Sequence, residues 1–208
     1  MQIRCETDFV AKTDIFKEGA LTFLESMHQS NFEAKINDPE NKDLLEEFMN
    51  SKLSKSLDSD LESMTAQEGM THLINKTREN CSVGKVIHQT VNGVKKFGSY
   101  LHNSNGEFLG KIGVLVLIDS SNPDPSCDVH TIANDLALHI AAMKPRYVSK
   151  EKVPAGEEDV EESQILELQE LVAAKGTETM TIADYLYTQG KMLDTEIKVE
   201  DFVLFTCN

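Results

Sequence analysis

The 208-residue chain has no tryptophan, only five prolines and four cysteines, and 20 basic side chains against 35 acidic ones. Each shortage closes off a class of function. Cys5, Cys81, Cys127 and Cys207 stand too far apart for a C-x-x-C pair, which excludes a zinc knuckle or thioredoxin-type motif and reads as four reduced thiols in an intracellular protein. A formal net charge of −15 opposes a broad grip on a phosphate backbone, so no direct nucleic-acid partner is expected. No apolar run nears the roughly 18 residues of a membrane span. Walker and dinucleotide glycine patterns and a G-x-S-x-G elbow are missing, so the sequence offers no nucleotide site of its own, no activated nucleophile and no cofactor. His28, His72, His88 and His130 are scattered. Asp135 and His139, four apart, lack a third ligand and read as a surface pair or a core-edge histidine rather than a metal site.

What remains is an ordinary globular composition, 40% hydrophobic and 26% charged. At roughly 100–200 residues per domain, it suits one large domain or two small ones. The acidity is uneven. Residues 151–208 carry 14 acidic and 4 basic side chains, and Glu157, Glu158, Asp159, Glu161 and Glu162 follow Pro154-Ala155-Gly156. That run predicts a solvated linker over 154–164 between a core subdomain, 1–153, and a smaller carboxy-terminal one, 165–208. A charged loop inside one domain is the competing reading.

Periodicity supplies the elements. Phe16, Ala20, Phe23 and Met27 stripe a helix over 14–30; Leu44, Leu45, Phe48 and Met49 stripe another over 39–54, with Pro39 in its first turn; a third spans 66–80. Residues 83–118 alternate short β-prone runs with the turn dipeptides Asn92-Gly93 and Asn105-Gly106, the pattern of an antiparallel meander. Ile112 to Ile118 is apolar on both faces and predicts a central strand. Ser126 caps a further helix striped by Val129, Ile132, Ala133, Leu136, Ile140 and Met143 and stopped by Pro145. A strand at 165–172, a helix at 182–189 and a strand at 197–205 follow. The predicted class is α+β: a three-stranded antiparallel sheet ordered by the meander, with helices packed on it, followed by a smaller related α+β subdomain.

One stretch says more than composition does: Cys5-Glu6-Thr7-Asp8-Phe9-Val10-Ala11-Lys12, behind a short strand. Thr7 or Asp8 suits a helix cap. Phe9 suits either a ring packed beneath that helix or an interface wedge, because Phe buries much apolar area with few rotors to freeze. The stretch resembles the hallmark of the elongation factor Ts family, C-[EQ]-T-D-F-V-A-[KR]. Further segments resemble the family in its own order: Glu79-Asn80, Gly98 to His102, Gly110 to Val116, His139 to Ser149, Thr181 to Leu186 and Ile197 to Phe205.

The resemblance implies a guanine-nucleotide exchange factor rather than an enzyme of covalent chemistry. Such a factor binds elongation factor Tu, GDP-bound and nucleotide-free, and promotes GDP release during translation elongation. The resemblance assigns Thr7, Asp8, Phe9 and Val10 to dislodging the partner's magnesium ion. His102 matches a family position near the partner surface, and Thr77-Arg78 stands where the family usually has Ile-Gly, so these three are expected as secondary contacts. For His102, a solvated strand edge is the competing reading. A module that holds elongation factor Tu but exchanges weakly is the alternative function. The family's N-terminal helical domain, the first strand of its core and the long helical hairpin usual between Val153 and Ile165 have no counterpart, which suggests a fragment or a processed form. The resemblance implies no membrane partner and leaves a homodimer open. It points to the bacterial cytoplasm or, alternatively, to a mitochondrial or plastid-type matrix.

Overall fold

The computed structural model describes residues 1–33, 35–91, 93–104, 108–121, 129–157, 159–171 and 179–206. Asn92, Asn105-Gly106, the Ser126 cap, Glu158, Val172, Cys127 and Cys207 lie outside the described residues. Two units share the chain, one formed chiefly by Met1–Gln89, the other by Thr90–Ser104 and Gly110–Phe205. None of the helices is long and apolar enough to cross a membrane, among the described residues.

The first unit runs β1 (Ile3–Arg4), α1 (Asp8–Ala11), α2 (Asp14–Gln29), α3 (Lys42–Asn50), α4 (Ala66–Thr77) and β2 (Ser82–Val83). Side-chain caps fix where its helices begin. Thr13 accepts from the amide of Phe16, and Asn41 accepts from that of Leu44 at 2.8 Å, so α3 starts at Lys42 and Pro39 precedes it rather than sitting in its first turn. The stripe on α2 meets Phe48 of α3 and Met70 and Leu73 of α4 in one core. Phe23 and Phe48 pack edge to face with centroids 6.4 Å apart, and Phe32 does the same to Phe48 at 6.2 Å. Phe23 is wholly buried, and cutting it to Ala would cost about 3–5 kcal/mol.

The second unit holds β3 (Lys95–His102), β4 (Ile112–Ser120), α5 (Val129–Met143), three short 3-10 turns (Lys150–Lys152, Glu162–Gln164, Leu166–Leu168), α6 (Ile182–Met192) and β5 (Ile197–Thr206). The strands form a three-stranded antiparallel sheet in the order β3-β4-β5, with helices packed on it. The β3–β4 register runs from Lys95 opposite Asp119 to His102 opposite Ile112. The central place of β4 follows from its sequence, since Val116, Leu117 and Ile118 are all buried although they alternate between faces. Helix α5 covers β3 and β4, and Gly98 admits it closely: a Cβ there would lie 2.2 Å from the carbonyl carbon of Ala133.

Two expectations are revised. The meander was to supply the whole sheet, but its first part, β2, pairs with β1 in a separate two-stranded sheet, and the third strand is β5 from the end of the chain. Val86 explains the first change, since its side chain is buried in the core of the first unit. Ile197, Val199, Val203 and Phe205 explain the second, because their alternation gives β5 one apolar face. The two units divide near residue 90, and Val148 and Leu166, on either side of the acidic segment, belong to one core with Val116, Ile182 and Ile197. A strand over 165–172 is not formed by its described residues. Ile165 and Leu166 are buried in succession, which a strand with one wet face does not allow, and the chain makes 3-10 turns with single bridges from Ile165 to Tyr147 and from Glu170 to Thr181.

Candidate functional site

Pairing of β1 with β2, Ile3 opposite Val83 and Arg4 opposite Ser82, carries the Cys5 to Lys12 stretch alongside the end of α4. The chain then turns at Thr7. Its backbone is extended (φ −128°, ψ 152°), and its hydroxyl accepts from the amide of Val10 at 3.3 Å, which makes Thr7 the cap of the four-residue helix α1. Asp8 and Phe9 fill the first two helical positions and are exposed. Val10 is half-buried against the core of Phe16, Phe23 and Leu73.

The two readings of Phe9 are distinguishable by burial alone. Its ring is 85% exposed, so it is no part of the core beneath α1. The cap and the projecting ring coexist, because Val10 supplies the packing that seats the turn. Ile15, at the start of α2, is a second exposed apolar side chain close behind in sequence, at 50%. Sequence reading passed over Ile15 because it lies off the apolar stripe.

Facing this turn is the end of α4. Thr77 donates from its hydroxyl to the carbonyl of Leu73 at 2.8 Å and accepts from the amide of Glu79 at 3.4 Å. Arg78 is exposed and left-handed (φ 61°, ψ 18°), the conformation that closes many helices and that glycine adopts most easily. Its effect is to swing Glu79 onto Thr7. One carboxylate oxygen, Oε2, accepts from the Thr7 amide at 2.8 Å, and the other, Oε1, accepts from the Thr7 hydroxyl. Two thiols lie against the same turns: Cys5 donates to the carbonyl of Thr7 at 3.4 Å, and Cys81 donates to that of Glu79 at 3.6 Å. Burial pushes the Cys81 thiol above its ordinary value, with a bond to Thr77 opposing and the charges of Glu79 and Glu6 adding to the rise.

Thr7, Asp8, Phe9, Val10, Thr77 and Arg78 therefore share one corner of the first unit. His102 belongs to the second unit. It ends β3, is exposed, and its Nδ1 lies 3.2 Å from the hydroxyl of Tyr100. Asp135 and His139 have separate partners. Asp135 accepts from the hydroxyl of Tyr185 at 3.3 Å, while His139 is wholly buried and bonded to Gln169. Glu79 is the residue for which the sequence suggested no role. The signal was indirect: Val10 occupies the third helical position of α1, where a capping box needs Glu or Gln.

Comparison with known proteins gives a consistent result. Residues 6–206 match the family model for elongation factor Ts. The chain is 31% identical to elongation factor Ts of Bdellovibrio bacteriovorus, in an alignment that covers 99% of this chain and 69% of that protein. It is 30% identical to the factor of Protochlamydia amoebophila over 79% of this chain, and 33% identical to that of Clostridium botulinum over 74%. Those two alignments span 51% and 42% of the relatives' own lengths, about half of each.

Proposed function

The chain belongs to the elongation factor Ts family, and we propose that it promotes GDP release from elongation factor Tu, in the cytoplasm of a bacterium, as a nucleotide exchange factor. The observation that carries this reading is the exposure of Phe9 on a capped turn. An aromatic ring left 85% in water by its own fold, at the tip of a turn held by three hydrogen bonds at the amide and hydroxyl of Thr7, is ready to enter a partner's surface at little ordering cost.

The mechanism needs no bond-making. Phe9 enters the surface of elongation factor Tu beside its nucleotide, with Val10 seating the turn behind it. Asp8 brings a carboxylate toward groups that otherwise serve the magnesium ion and the phosphates. Magnesium neutralises phosphate charge in such sites, so its displacement weakens the hold on GDP. Binding is linked in both directions: whatever factor GDP takes from the affinity of this chain for its partner, the chain takes from the affinity of the partner for GDP. Thr77 and Arg78 act as flanking contacts, and His102 acts as a separate contact on the second unit. A homodimer is not required.

The exposed Phe9 ring also fits a second reading, a module that holds elongation factor Tu but releases GDP slowly, since an interface anchor needs no effect on the nucleotide. Calorimetric titration of the chain into nucleotide-free and GDP-loaded elongation factor Tu separates the readings. An exchange factor binds the nucleotide-free form at least about tenfold more tightly, and equal affinities would leave only a holding module.

A further inference from the structure

We infer that Glu79 is a positioning residue for the Phe9 turn, supplying from 72 residues away the second half of a capping box that α1 cannot complete by itself. The inference rests on the exchange reading of that turn and adds what holds it in place.

The same chain shows the complete device elsewhere. At the start of α4, Thr65 accepts from the amide of Glu68 at 3.2 Å, and the Glu68 carboxylate accepts from the Thr65 amide at 2.8 Å and from its hydroxyl at 3.1 Å. These bonds hold the Glu68 carboxyl below the usual carboxylate range. Thr7 is surrounded in the same way. Its hydroxyl accepts from the amide at the third helical position, Val10, while its own amide donates across 2.8 Å to a carboxylate oxygen and its hydroxyl donates to the other. The difference is the owner of the carboxylate. At Thr65 it is the residue three along; at Thr7 that residue is Val10, half-buried against the core and without an acceptor.

The chemistry explains why the substitution of one source for the other matters. A hydroxyl has one proton, and donating it to Glu79 turns a lone pair of Thr7 toward the Val10 amide, so the two bonds polarise each other. Both bonds to Glu79 have an ionised acceptor, the stronger kind. A four-residue helix has too few internal bonds to persist by itself, so its geometry, and the direction in which Phe9 points, depend on these contacts. Glu79 is delivered by the left-handed Arg78 at the end of α4, which packs on α2 and α3. The packed helices thus set the direction of an exposed ring.

The experiment compares Glu79→Gln and Glu79→Ala with the wild-type chain in three measurements. These are amide hydrogen exchange at residues 7–12, thermal melting, and the rate of labelled-GDP release from elongation factor Tu over a range of chain concentrations. In Glu79→Ala the amides of Thr7 and Val10 should exchange roughly tenfold faster, the factor that one charge-assisted hydrogen bond commands. Release at saturating chain should slow by a similar roughly tenfold factor, with the half-saturating concentration within about twofold of wild type, because the contacts survive but the ring is misdirected. Glu79→Gln, which keeps one acceptor oxygen, should recover part of both effects. Unchanged protection of Thr7 and Val10, or faster exchange with undiminished release, overturns the inference. Loss of the melting transition in both variants also overturns it, in favour of a role in folding. If the wild-type chain fails to speed release, the exchange reading falls, and the protection of Thr7 and Val10 still decides whether Glu79 holds the turn.

Discussion

Nε2 of His139 on α5 donates to the side-chain oxygen of Gln169 across 2.8 Å, and both side chains are buried. The amide nitrogen of Gln169 donates to the carbonyl of Ser163, which leaves its oxygen as the acceptor and fixes the proton of the imidazole on Nε2. Burial holds the His139 pKa below the ordinary 6.5, only partly opposed by the bond to Gln169.

The sign of the pH dependence follows. Unfolded, His139 takes up a proton below about 6.5; folded, it resists, so the unfolded chain binds more protons and stability falls as pH drops from about 6.5 toward the lower folded value. A chemical melt repeated between pH 7.5 and 5 should show this loss. In His139→Gln the fold is weaker at pH 7.5, by about 1–3 kcal/mol, but the loss over this interval should shrink. Glu167 and Asp201, whose carboxyls burial raises, act with the opposite sign. An equal slope in both proteins would contradict the assignment.

Gly98→Ala should destabilise the second unit by roughly 3 kcal/mol. The new methyl meets backbone, with the Ala133 carbonyl carbon at 2.2 Å and its oxygen at 2.4 Å, so α5 must lift from β3. Urea unfolding measures the loss, and a change below about 0.5 kcal/mol would mean that α5 moves freely over the sheet.

Arg78→Gly should stabilise the first unit by about 0.5–1 kcal/mol. Relief of the left-handed backbone outweighs the added freedom of the unfolded chain, and no hydrogen bond of the Arg78 side chain is at stake in the cap itself. A lower melting temperature would show that the guanidinium does structural work outside the cap.

Local patterns revealed those parts of the fold that obey local rules. The stripe of Phe16, Ala20, Phe23 and Met27 marked α2 because helical spacing puts those side chains on one face, and the two-faced apolarity of Ile112 to Ile118 marked β4 as central. Pairings between distant segments leave no such trace. Nothing in Ile197 to Phe205 says that its neighbour is β4, so the end of the chain read as a layer of its own. For the acidic run from Glu157, charge patterning reports only solvent, which a linker and a surface loop meet alike. Arg146 and Tyr147 bind Glu157 and hold that loop to its own unit.

At the site, the Thr7 to Val10 stretch was legible as a motif, and Thr7 as a cap. The exposure of Phe9 was not, because a ring at the second helical position fits a core or an interface equally well until the packing is known. The part of Glu79 was hidden for a simpler reason: 72 residues separate it from Thr7, and the one local hint was a valine where an acceptor was needed.

The most direct test of the account is a stopped-flow trace of labelled GDP leaving elongation factor Tu, recorded alone, with the wild-type chain and with Phe9→Ala. Because the ring is 85% exposed, its removal should leave the melting temperature near wild type. Its loss as an aromatic hot spot should cost about 2–4 kcal/mol, or about 30-fold or more in stimulated release. Wild-type acceleration that collapses in a folded Phe9→Ala protein is the predicted result; release as fast with Phe9→Ala as with wild type, or no acceleration by either, would contradict it.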